Sequence, residues 1–74
     1  MKELDVVKLT QEFEGVPSGT EGTIVLEYDG RYYEVEFFDS NGDTIDVLTT
    51  PANILELVSS SPDVTKTEND KKAQ

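Results

Sequence analysis

The chain has 74 residues, six Lys and Arg against sixteen Asp and Glu, and no His, Cys or Trp, for a formal net charge of −10. That length holds one small domain. The missing residue types exclude a disulfide, a thiolate zinc site, a Cys nucleophile and a His general base, and the acidic balance disfavours phosphate backbones and anionic lipid surfaces as partners.

In chain order, the first apolar segment is Leu4 to Leu9, read as a strand with Val7 and Leu9 on one face and Val6 and Lys8 on the other. Gln11 to Thr20 follows as a long polar loop whose only sizeable apolar side chains are Phe13 and Val16. Glu21 to Tyr28 reads as the second strand, with Ile24, Leu26 and Tyr28 on one face and Thr23, Val25 and Glu27 on the other. Asp29-Gly30 is a hairpin signal, since both residues tolerate the positive φ of a type I′ turn. Arg31 to Phe38 is the third strand and the clearest, with Tyr33, Val35 and Phe37 alternating with Glu34, Glu36 and Phe38. Asp39 to Asp43 forms a second hairpin connection, with Gly42 suited to a left-handed position. Thr44 to Thr49 is the fourth strand, Pro51-Ala52-Asn53 suits one 3₁₀ turn, and Ile54 to Val58 is the fifth strand.

Residues 59–74 differ in kind. They read SSSPDVTKTENDKKAQ, with three Lys balanced by three acids and only Val64 and Ala73 as aliphatic side chains. Such a stretch buries too little apolar area to offset the entropy of ordering it, so a disordered polar tail is expected. Residues 1–58 are the domain. They carry three cations and thirteen acids, so the whole −10 resides there. The start MKELDVVKL has acids where a signal peptide has an apolar run, and no segment approaches the ~20 apolar residues of a membrane span. A soluble, cytoplasmic protein is expected.

Five short strands joined mostly by tight turns predict an all-β fold, a small antiparallel barrel whose closure removes most of the free edge. The long first loop, the two hairpins and the Thr50-Pro51-Ala52-Asn53-Ile54-Leu55 segment together resemble an SH3-like barrel. Gly19-Thr20-Glu21-Gly22-Thr23-Ile24-Val25 resembles the G-x-x-G-x-[IV]-V core of KOW-type barrels, where glycines allow a tight entry into a bent strand. The whole pattern is most similar to a family of small bacterial proteins catalogued as a domain of unknown function. Its elements correspond to Asp5 to Leu9, Gly19 to Val25, Tyr33 to Phe37, Gly42 to Thr44 and Leu48 to Pro51. This resemblance covers about residues 4–58 and implies an SH3-like fold without supplying an activity.

Few residues offer chemistry. Asp39-Ser40-Asn41-Gly42-Asp43 has the alternating donors of a calcium loop's opening, but the sixth and twelfth places hold Thr44 and Thr50 instead of Gly and Glu, so a hairpin turn is the reading and no metal is expected. Glu34 and Glu36 share a strand face with Tyr32 and Phe38. So small a barrel has no cleft to bury such a carboxylate pair, so that face reads as a surface and the protein as non-enzymatic, without cofactor. Tyr28, Tyr32 and Tyr33 cluster at the first hairpin, with at least one expected to pack inward.

Exposed aromatics among acids have the composition of a protein-contact surface. The expected function is therefore a protein-binding module that covers a basic surface on its partner, as an antitoxin, immunity protein or inhibitor would. The contact residues are expected to be Tyr32, Glu34, Glu36 and Phe38, with Asp29 and Asp39 at the hairpin ends. The alternatives are a KOW-like nucleic-acid or ribosome-associated module, which the charge opposes, and a structural accessory domain of an enzyme complex.

Overall fold

The computed structural model describes residues 1–60. The expected disordered tail therefore lies, from residue 61 onward, outside the described residues. Five strands run β1 (Val6–Leu9), β2 (Glu21–Glu27), β3 (Tyr32–Phe38), β4 (Thr44–Pro51) and β5 (Leu55–Ser59), with a single 3₁₀ turn at Ala52–Ile54 before the last. All pairings are antiparallel, and the sheet order is β4-β3-β2-β1-β5. The fold is all-β, as the alternation predicts.

Alternation decides what is buried. Val7 and Leu9 of β1, Ile24 of β2, Tyr33, Val35 and Phe37 of β3 and Leu55 of β5 point to one face, where they form one core with Val16 and Ile54. Phe13, Leu48 and Ala52 pack against its margin. Val16 reaches the core because the first loop doubles back. Phe13 and Val16 exchange both backbone hydrogen bonds at 2.9 and 2.8 Å, with Glu14 and Gly15 between them at φ 52° and 84°. Left-handed backbone at two successive central residues is what a type I′ turn requires.

The two glycines of the G-x-x-G segment serve different needs. Gly19 sits at φ 86° and donates its N–H to the Leu9 carbonyl at 2.8 Å. Gly22 faces the core, where a Cβ would stand 2.7 Å from the Glu36 carbonyl oxygen and 2.7 Å from Val35 Cγ1. Only a residue without a side chain lets β2 lie this close to β3.

Several expectations are corrected. The barrel is not closed by hydrogen bonds: β4 and β5 remain the two edges of the sheet, joined by the 3₁₀ turn instead of paired. Leu4 is not in a strand. Asp5 donates its N–H to the Lys2 carbonyl, and Leu4 takes φ 72° and lies exposed. The Asp29-Gly30 connection is not type I′. Only Gly30 is left-handed, and the loop holds four residues, with Asp29 Oδ1 accepting the Arg31 N–H at 3.0 Å.

Leu26 and Tyr28 do not continue the Ile24 face. The register between β2 and β3 shifts between Ile24 and Leu26, so Ile24 pairs with Val35 and Leu26 with Glu34. That bulge turns Leu26 outward, and the strand ends before Tyr28. The third 3₁₀ residue is Ile54, so β5 begins one residue later than expected and ends at Ser59.

Candidate functional site

Cross-strand partners share a face, so the register of β3 defines the surface opposite the core. Tyr32, Glu34, Glu36 and Phe38 follow one another along it. On β4 they meet Pro51, Thr49, Val47 and Thr44 respectively. On β2, Glu34 meets Leu26 and Glu36 meets Thr23. The four residues chosen from the strand period are thus brought together on one outer face.

Both carboxylates on this face are held. Glu34 Oε1 accepts the Thr49 hydroxyl at 2.6 Å and, more weakly, the Tyr28 hydroxyl at 3.4 Å. Glu36 Oε2 accepts the Thr44 hydroxyl at 2.7 Å. Each donor fixes the direction of its carboxylate. The result is a pair of oriented charges set among exposed apolar groups: Leu26, Tyr28, Tyr32 and Val47 are each between two-fifths and just over half exposed. Phe38 is half-buried and lines a shallow groove with Pro17 and Ile45. At the other end of the strand Tyr32 lines a second groove with Arg31, Pro51 and Asn53.

Asp29 and Asp39 are placed differently. They precede and follow β3, so the seven-residue strand separates them by roughly 20 Å at ~3.3 Å per residue. Their carboxylates also organise their own turns. Asp39 Oδ1 accepts the N–H groups of Asn41 and Asp43 at 2.9 and 3.0 Å, closing the second hairpin around Gly42 at φ 85°. The calcium-like spacing of this loop thus serves as turn chemistry.

The tyrosine cluster divides as the alternation requires. Tyr33 is 4% exposed and directs its hydroxyl toward the Met1 carbonyl at 3.5 Å, while Tyr28 and Tyr32 are outside. The sequence reading missed Leu26, Val47 and Thr49 as members of the outer face. Thr49 and Val47 are not legible from the turn, because the β3–β4 register shifts by one residue between Phe37 and Phe38 and counting from the hairpin would set Leu48 and Asp46 opposite Glu34 and Glu36. Leu26 was hidden by the bulge.

The strand period also does not reveal the most buried charge among the described residues. Asp5 is 1% exposed, with Oδ2 accepting the Lys2 backbone N–H at 2.9 Å and Oδ1 paired to Lys2 Nζ at 3.0 Å. It lies at the start of β1 and anchors the N-terminal turn, away from the outer face of β3.

Among the described residues no group of three or more His, Cys, Asp or Glu side chains is arranged to hold a metal ion, and no helix is long and apolar enough to cross a membrane. Residues 3–57 match a family model described as "Domain of unknown function (DUF4926)". No curated protein and no solved structure matches the chain.

Proposed function

The chain belongs to the DUF4926 domain family, and from that premise we propose that it is a non-enzymatic protein-binding module whose outer β3 face covers a basic surface on a partner protein. The observation that carries this reading is the pair of oriented carboxylates, Glu34 and Glu36, framed by Tyr32, Leu26, Val47 and Phe38. Apolar and aromatic groups supply contact area, and the fixed charges select a cationic partner and steer its approach. The surrounding charge acts in the same direction. Of the three cations in residues 1–58, Lys2 pairs with Asp5 and Lys8 approaches Glu56 at 3.9 Å, leaving the acids in large excess.

Nucleic-acid binding has less support. A groove that tracks phosphates needs a run of cations, and the outer face of β3 presents two carboxylates in its place. Catalysis likewise has less support, since both glutamates are half-buried on a strand face and accept hydrogen bonds from neutral hydroxyls.

The test is the association rate with the cognate partner isolated by affinity to the full chain. Raising the salt from about 0.05 to about 0.5 M is expected to slow association at least ~10-fold, because the Debye length falls from roughly 14 to roughly 4 Å and the long-range steering is screened. Glu34→Lys with Glu36→Lys is expected to slow it similarly at low salt while the fold persists. An association rate indifferent to both changes would sink the reading.

A further inference from the structure

The edge of β4, unpaired among the described residues, borders the acidic outer face, and its backbone directions are fixed by two observations. The Glu36 carbonyl oxygen faces β2, 2.7 Å from where a Gly22 Cβ would stand, and the Tyr32 carbonyl accepts the Tyr28 N–H at 3.2 Å. Backbone groups alternate along a strand, so Tyr32, Glu34 and Glu36 bond toward β2. Their β4 partners Pro51, Thr49 and Val47 therefore turn their backbone groups away from β3, onto the open edge. Pro51 brings no N–H and ends the usable edge there.

The Val47 N–H on this edge is occupied by the chain itself. Asp46 Oδ1 accepts it at 2.8 Å. A carboxylate that covers an edge donor blocks a second strand from pairing, and it adds negative charge against any acidic strand, a second copy of this chain included. Ile45 and Val47 remain exposed beside it, each 44% accessible.

We propose that the β4 edge is a strand-addition site gated by Asp46, and that its occupant is an extended basic segment of the partner protein. A lysine or arginine on the incoming strand pairs with Asp46 and draws its carboxylate from the Val47 N–H. That N–H, with the backbone groups of Thr49, then enters a ladder with the new strand, whose other cations meet Glu34 and Glu36. Strand pairing supplies affinity, and the gate supplies selection for basic sequence. This rests on the acidic-surface reading above and adds the mode of contact.

The experiment titrates the full chain with a short peptide of lysine and valine that carries lysines on both strand faces, its analogue N-methylated on the backbone nitrogens of the pairing edge, and a glutamate-for-lysine counterpart. Amide exchange at Val47 and Thr49 is read by NMR. The lysine peptide is expected to slow exchange at both amides about tenfold or more, and N-methylation to weaken its binding about tenfold per lost hydrogen bond. Val47→Pro, which an edge-directed N–H tolerates, is expected to fold and to weaken the peptide comparably.

Equal binding of the N-methylated peptide, abolished by Glu34→Lys with Glu36→Lys, overturns the edge while leaving the acidic face as the contact. Equal binding of the glutamate peptide overturns the basic occupant. No binding of the lysine peptide overturns the proposal. Protection of Thr49, whose amide Asp46 does not cover, in the free chain overturns it too. If that protection grows with concentration the occupant is a second copy, and if it vanishes on removal of residues 61–74 the occupant is the chain's own C-terminal segment.

Discussion

The two faces of β3 are built from one seven-residue strand and follow opposite rules. Inward, Tyr33, Val35 and Phe37 are at most 4% exposed and fill the centre of the core. Outward, Tyr32, Glu34, Glu36 and Phe38 sit on the sheet surface, with their carboxylates tied to threonines of β4. The difference teaches where this domain has freedom. A core this small has no spare position, so composition on the inner face answers to packing. On the outer face nothing in the packing calls for two glutamates between aromatics, so that pattern asks for a reason outside the fold.

The comparison breaks first at Phe37. Its ring is fully buried, and Phe37→Ala is expected to lose about 3–5 kcal/mol through lost burial and the cavity left behind. For a domain whose total stability is on the order of 5 kcal/mol, urea denaturation should show little folded protein remaining. Gly22→Ala is the next largest. The new methyl would meet the Glu36 carbonyl and Val35 Cγ1 at 2.7 Å and Phe37 Cδ1 at 3.0 Å, with two of these neighbours in the core and one in the backbone. A loss of roughly 1–3 kcal/mol is expected, as for other overpacked cores, with the urea midpoint as the readout. A Gly22→Ala chain as stable as the parent would show that β2 and β3 are not held this close.

How much of this arrangement the sequence carries depends on the element. The inner face of β3 was legible because Tyr33, Val35 and Phe37 alternate without interruption over a full strand, and period 2 has one reading. The second hairpin was legible because Gly42 stands where a left-handed residue is needed. The β2 bulge was not. Ile24, Val25 and Leu26 are all apolar, so sliding one residue leaves no mark in composition, yet it turns Leu26 from core to surface. The site was half legible for the same reason: parity within β3 finds Tyr32, Glu34, Glu36 and Phe38, whereas Leu26, Val47 and Thr49 join them only through register between strands. Asp5 was illegible because a lone acid at a strand start reads as exposed, and only the folded N-terminal turn supplies its partners.

A finer probe of the inner face is Tyr33→Phe. The ring keeps its packing and loses only a 3.5 Å hydroxyl contact to the Met1 carbonyl. The expected loss is under ~1 kcal/mol, since the bond is long and its acceptor is near solvent. A larger shift in the thermal midpoint would mean that the N-terminal turn, rather than the ring, holds this side of the core.

The smallest stability effect is expected from the largest change in charge. Glu34→Lys with Glu36→Lys moves the formal charge from −10 to −6 and removes the hydrogen bonds from Thr49 and Thr44. Water can replace those bonds on an open strand face, and lowering the excess of acids relieves self-repulsion, so the two effects oppose each other. The net change is expected within about 0.5 kcal/mol by urea denaturation at moderate salt. A double variant that folds as well as the parent establishes that neither glutamate is needed for the fold. A double variant that unfolds would return the outer face of β3 to the same rule as the inner one and remove the ground for reading it as a contact surface.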